Sequence, residues 1–163
     1  MKSRVPGLQS PVDLTLRGHH FLCSLHYQGA GYSNGFTDNF TALCQAIVER
    51  GENTVEVAAM ADPICKACPS LQPDGETCAT QDSIMRRDRA LLEGMGWVPG
   101  QVMSLEEAHW AVLDRREELM KEVCAGCEWL PRCQEKGPNG LASPITRGVP
   151  RPDARPETRD PRF

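Results

Sequence analysis

Six of the eight cysteines fall into two separated triplets, Cys65-Lys66-Ala67-Cys68 followed by Cys78, and Cys124-Ala125-Gly126-Cys127 followed by Cys133. A two-residue spacer lets both sulfurs of a tight turn face one ion or cluster, while nearby backbone N–H groups bond the thiolates and offset their charge. Each triplet therefore predicts a metal-binding loop that draws a fourth ligand from elsewhere. Zinc ribbons place their two C-x2-C knuckles roughly 15 to 20 residues apart. Here more than fifty residues separate Cys68 from Cys124, so the spacing argues for two sites rather than one shared tetrad.

Cys23 is the candidate for a missing ligand. It ends the run Arg17-Gly18-His19-His20-Phe21-Leu22-Cys23, and on a helix residues three and four apart share a face, which sets His19 and His20 beside it. The expectation is one tetrad of Cys23, Cys65, Cys68 and Cys78, with His19 or His20 as a further ligand or behind the metal ligands. The plainer reading makes Cys23 a buried apolar residue and the histidines core or capping groups. Cys44 lies on an apolar helix stripe and reads as a packed, inert thiol.

The chain has 163 residues, enough for one domain with its own core and too few for two ordinary ones. Aromatics are only 6%, so the core is modest and bound metal is expected to add to stability. A net charge of −4 lacks the basic footprint of a nucleic-acid binder. No apolar run approaches the roughly 18 residues of a membrane span, and the opening residues lack a secretory pattern. The expectation is a cytoplasmic protein with no nucleic-acid or membrane partner. Its cysteines would then stay reduced as ligands or buried thiols.

Residues 1–11 read as a flexible N-terminus and 12–136 as the cysteine-rich domain. Leu14 and Leu16 alternate with polar neighbours as in a strand, as do Val55 and Val57. Helices are predicted over His19–Tyr27, from Ser33 or Asn34 to Gly51, over Gln81–Glu93, and from the Ser104/Glu107 capping box to Val123. His109 falls off the last helix's apolar stripe and reads as partly exposed, and Arg86-Arg87-Asp88-Arg89 as a solvated helix face. Residues 137–163, with six prolines, five arginines and no apolar period, read as a disordered tail. The fold class is α+β: one compact domain with few strands, about four helices and cysteine-rich loops.

Taken together, Leu16-Arg-Gly-His-His-Phe-Leu-Cys23, Gly29-Ala-Gly-Tyr-Ser33, Asp62-Pro-Ile-Cys65-Lys-Ala-Cys68-Pro69 and Cys124-Ala-Gly-Cys127-Glu-Trp129 resemble the DUF1284 family of small bacterial and archaeal proteins. The resemblance runs in order from about residue 14 to residue 133. It implies an iron–sulfur cofactor without supplying a reaction, and its pattern takes in Arg17, Gly18, His19, His20, Cys23, Cys65, Cys68, Cys78, Cys124, Cys127 and Cys133.

Three functions follow as expectations. The first is an iron–sulfur protein with one or two [4Fe–4S] clusters, serving electron transfer or redox sensing with a redox partner protein. The second is a zinc-stabilised binding module. The third is a metal-dependent enzyme, or one in which Cys23 is a nucleophile and His19 or His20 its base. No P-loop, G-x-S-x-G or dinucleotide fingerprint points to a particular reaction.

Overall fold

The computed structural model describes residues 12–152. The expected flexible N-terminus, residues 1–11, and the last part of the expected tail, residues 153–163, lie outside the described residues. A three-stranded sheet, β1 (Leu14–Arg17), β2 (Thr54–Ala58) and β3 (Val102–Ser104), has the order β1-β2-β3. β1 runs parallel to β2 with Leu14 opposite Val55, and β3 runs antiparallel to β2 with Thr54 opposite Ser104. Because β1 and β2 are parallel, the chain leaves both at the same end of the sheet. From the first exit come Arg17 to His20, and from the second come Asp62 and Cys65.

Helix α1 (His20–His26) follows β1 directly, and α2 (Asn34–Arg50) supplies the long crossover to β2. Ser33 caps α2 by accepting from the Phe36 N–H at 3.1 Å, and Gly51 ends it at a φ of 81°. Phe36, Phe40, Cys44 and Ile47 form the buried stripe of α2, and the neighbouring Val48 is 49% exposed. After β2 a short 3-10 helix over Pro63–Ala67 carries the first cysteines. Then come α3 (Gln81–Met95), α4 (Leu105–Asp114), α5 (Arg116–Val123), α6 (Leu130–Lys136) and α7 (Pro144–Arg147).

The α+β class holds, but seven α-helices stand among the described residues in place of about four. The predicted helix from 104 to 123 begins at its cap, where Ser104 Oγ accepts from the Glu107 N–H, then breaks at Arg115 with φ −119° and ψ 19°. Its apolar stripe of Leu105, Ala108 and Val112 meets Arg116 one turn on, and resumes only with Leu119 and Val123. α6 and α7 each carry a proline, Pro131 and Pro144, in the first turn, where it suits a helix start, and have no apolar period to announce them.

The expected disorder of residues 137–163 does not hold for the part described. Gly140 N–H donates to Leu25 O at 2.7 Å and Leu141 N–H to Tyr27 O at 2.9 Å, so the segment pairs with the chain leaving α1. A Cβ on Gly140 would stand 2.7 Å from Leu25 O, so only glycine fits. Ala142 and Ser143 are fully buried, and Arg147 bonds Glu106 Oε2 at 3.1 Å. Backbone pairing and one buried ion pair hold this stretch, neither of which produces hydrophobic periodicity.

The core gathers Leu16, Phe21, Leu22, Leu25, Val55, Val57, Leu91, Leu105 and Val112 between the sheet and the surrounding helices. Each such side chain contributes about 1.5 to 3 kcal/mol relative to exposure. No helix among the described residues is long and apolar enough to cross a membrane.

His109 is wholly buried, contrary to its reading as partly exposed, and its Nε2 pairs with Ser24 Oγ at 2.8 Å. Burial, then the charge of Arg147, pushes its pKa down to about 3. Below pH 6.5 the unfolded chain takes up a proton that the native imidazole refuses. Stability is therefore expected to fall between pH 6.5 and 3, by at most about 1.4 kcal/mol per pH unit from this residue. Urea unfolding at several pH values should show a shallower decline for His109→Gln than for wild type; equal slopes would remove His109 as a cause.

Candidate metal centre

Two buried carboxylates organise the exits of β1 and β2. Asp62, capping the 3-10 helix, accepts from the N–H groups of Ile64 at 2.9 Å and Cys65 at 3.2 Å through Oδ1. Through Oδ2 it accepts from Arg17 N–H at 2.8 Å and meets His20 Nδ1 at 2.7 Å. Burial alone would raise this carboxyl; the charge and hydrogen bond of His20 and the Arg17 N–H outweigh it and hold the group below the ordinary carboxylate range.

Asp88, on α3, does the same for the preceding residues. It accepts from Arg17 Nε at 2.8 Å, from His19 N–H at 3.0 Å, and meets His19 Nδ1 at 2.7 Å. Against the cost of burial, the hydrogen bond and charge of His19, then Arg17, keep it ionised below its usual range. An ionised carboxylate only accepts, so Nδ1 of each histidine carries the proton, and in the neutral ring Nε2 keeps its lone pair. For His19 burial, then the nearby His20, drives the pKa down to about 4. The two rings lie 4.3 Å apart between centroids.

Arg17, only 2% exposed, joins the carboxylates to sulfur: its Nη1 lies 3.6 Å from Cys65 Sγ and its Nη2 3.6 Å from Met85 Sδ. Gly18 permits this closeness, since a Cβ there would stand 2.6 Å from Asp88 O. In the first triplet, Cys68 N–H donates to Cys65 O at 2.9 Å, and a hairpin-like bridge between Leu71 and Cys78 returns the third cysteine to the loop. The Cys65 thiol is pushed up to about 11 by burial and the charge of Asp62, against the pull of the Asp62 backbone N–H and of Arg17.

The second triplet lies where α5 passes into α6. Cys124 closes α5, Cys127 N–H donates to Cys124 O at 2.9 Å across the Gly126 turn, and Cys133 sits on α6. Cys23, on α1, faces this group. Burial first, then the thiols of Cys124, Cys127 and Cys133, raises its pKa, while Arg87 opposes them. The expected tetrad of Cys23 with Cys65, Cys68 and Cys78 is thus corrected. The reason is position along the helix: Cys23 shares a face with His19 and His20 but stands one turn further on, beside Cys124, Cys127 and Cys133, while the histidines at the start of α1 meet Asp88 and Asp62.

Cys124 is pushed up to about 12 by burial, then by Cys127 and Cys133, with Arg87 and Arg116 pulling the other way. Burial and Cys127 also raise Cys133, against Arg116 and Arg132. Thiols that repel one another as thiolates, ringed by guanidinium groups, form a ligand set whose charge a metal would neutralise. Among the described residues Arg87 Nε is buried without a hydrogen-bond partner. The presumed solvated run 86–89 is therefore split: Arg86 and Arg89 are exposed, while Arg87 and Asp88 turn inward.

One cavity of about 460 Å³ is lined by all seven motif cysteines together with His19, His20 and Arg17. Trp129 borders it and meets Tyr32 edge-on, with ring centroids 5.5 Å apart. Cys44 is 1% exposed and packs in the core away from it, as its apolar stripe suggested. No hydrogen bond joins Cys23 Sγ to either imidazole among the described residues. Asp62, Asp88 and Arg87 are the site residues that the sequence reading missed; only the Asp62-Pro63 cap beside Cys65 carried a local signal.

The model of a family described as "Protein of unknown function (DUF1284)" matches residues 31–133, and the chain belongs to that family. The matched span takes in both triplets; the placement of Arg17 to Cys23 beside them comes from the geometry. No curated protein and no solved structure matches the chain.

Removing one partner of the Arg17–Asp88 pair strands a buried guanidinium, so Asp88→Asn is expected to cost about 3 to 5 kcal/mol. Gly18→Ala forces the exit of β1 away from α3 and is expected to cost about 1 to 3 kcal/mol. Guanidinium unfolding of the two variants checks both, and midpoints equal to wild type would show that the β1–α3 contact is not holding the site.

Proposed function

We propose that this DUF1284 protein is an iron–sulfur protein in which Cys23, Cys124, Cys127 and Cys133 hold one cluster, serving electron transfer or redox sensing. The observation that carries the reading is the convergence of these four thiols, from α1, α5 and α6, on a cavity of about 460 Å³. A structural zinc ion is enclosed by its own four ligands, whereas these thiols border an open cavity shared with the first triplet, which leaves room for a cluster. A cluster held by four thiolates carries net negative charge. The donor set fits: four thiols, with the unpartnered Arg87 Nε and the charges of Arg116 and Arg132 around them.

When bound, the cluster supplies one-electron chemistry at a potential tuned by charge, hydrogen bonding and exposure. The chain's residues do the tuning. Arg87 and Arg116 favour the more negative, reduced state. Trp129 and Tyr32 border the cavity, where a redox partner protein would approach. Among the described residues Cys23 makes no hydrogen bond to His19 or His20, its thiol is raised rather than activated, and both imidazoles use Nδ1 on carboxylates.

Cys124→Ser is expected to lose one cluster's share of iron and acid-labile sulfide together from anaerobically purified protein, along with that share of the dithionite-bleachable visible absorption. Full retention of iron in that variant, or stoichiometric zinc without sulfide in the wild type, would overturn the reading. Arg87→Met is expected to keep the cluster and lower its midpoint potential by tens of mV, where about 59 mV is tenfold in electron affinity. Spectroelectrochemical titration checks the sign, and an unchanged potential would separate Arg87 from the cluster.

A further inference from the structure

The first triplet and its histidines are left over once Cys23 joins the second. Among the described residues, the ligand atoms of His20, Asp62 and Cys65 lie within 4.8 Å of one another, all three residues being buried. Asp62 is not free to ligate, because both its oxygens are already occupied: Oδ1 by two backbone N–H groups, Oδ2 by Arg17 N–H and His20 Nδ1. Its role is to fix the His20 ring with Nδ1 protonated. A carboxylate behind a histidine, holding one ring nitrogen so that the other points at a metal, is the common support of metal-bound imidazole.

His20 is 8% exposed, lines the cavity, and has no hydrogen-bond partner for Nε2 among the described residues. Cys65, Cys68 and Cys78 line the same cavity. Cys65 N–H is tied to Asp62, so the carboxylate positions the imidazole and the first thiol together. Arg17 adds a positive group 3.6 Å from Cys65 Sγ, which favours the thiolate that a metal needs.

We infer that Cys65, Cys68, Cys78 and His20 hold a second metal centre of three thiolates and one imidazole, distinct from the four-thiolate centre, with Asp62 as positioning residue. The donors select a thiophilic transition metal, either iron in a cluster or a single zinc ion, since both accept mixed sulfur and nitrogen ligation. The two centres share no ligand, so each can be lost without the other; only the choice of His20 as fourth ligand rests on Cys23 standing with the second triplet.

The test uses the full chain, purified anaerobically as wild type, Cys78→Ser, His20→Gln and Cys124→Ser, with iron, zinc and sulfide measured per chain and folding followed by circular dichroism. Cys78→Ser, in a loop, and His20→Gln, which keeps a donor for Asp62, are each expected to lose the same metal in the same amount. Cys124→Ser should lose a separate share and keep this one. Loss of iron with sulfide identifies a cluster and loss of zinc alone a single ion; either supports the second centre.

X-ray absorption at the edge of the metal retained in Cys124→Ser should report one nitrogen neighbour among sulfurs, a readout independent of whether His20→Gln folds. Three results overturn the inference: full wild-type metal in folded His20→Gln, depletion of one common pool by Cys78→Ser and Cys124→Ser, or no nitrogen neighbour. Retention of all iron in Cys124→Ser with loss in Cys78→Ser sinks the four-thiolate reading alone.

Discussion

Arg17 bound between two buried carboxylates is the interaction on which the rest of the site depends. Its backbone N–H goes to Asp62 and its Nε to Asp88, so the last residue of β1 is fastened both to the 3-10 helix and to α3. Burying one guanidinium and two carboxylates away from water is costly unless each finds partners. Here the four acceptor contacts of Asp62, and the bonds of Asp88 to Arg17 and His19, satisfy both. Buried ion pairs often add little stability over apolar packing of the same shape; what this network secures is position.

That position matters because thiol ligands alone do not define a centre. The two triplets span short helices and the turns between them, which hold their place only if something braces them. The Asp62 cap ties Cys65 and His20 to the end of β1, Asp88 ties His19 to α3, and Arg116 reaches from α5 to His26 Nε2 at 2.9 Å and to Cys133 O at 3.4 Å. The elements that deliver sulfur are thus cross-braced by charged side chains around a cavity. Positive groups of the same bracing, Arg17, Arg87 and Arg116, offset the charge that seven thiolates would otherwise concentrate there.

Much of this was legible in the sequence. The triplets, the inert Cys44, the stripe of α2 and the capping box of α4 each follow from a local rule: ligand spacing, apolar period or side-chain cap. What escaped has local causes too. β3 is three residues long, too short for alternation to register. Arg116 interrupts the apolar stripe of the long predicted helix, and the segment after Gly137 is held by backbone pairing and an ion pair. Asp88 and Arg87 hid within a charged run because only helix phase against a neighbour tells an inward charge from a solvated one.

By itself, the sequence determined that this chain carries two thiol-rich loops on a small α+β domain, since ligand spacing and hydrophobic period are properties of adjacent residues. Only the tertiary structure decided that Cys23 stands with the second triplet and His20 with the first. Those pairings depend on the direction in which one short helix leaves β1, and Asp62 and Asp88, 42 and 69 residues away from the histidines they hold, set that direction.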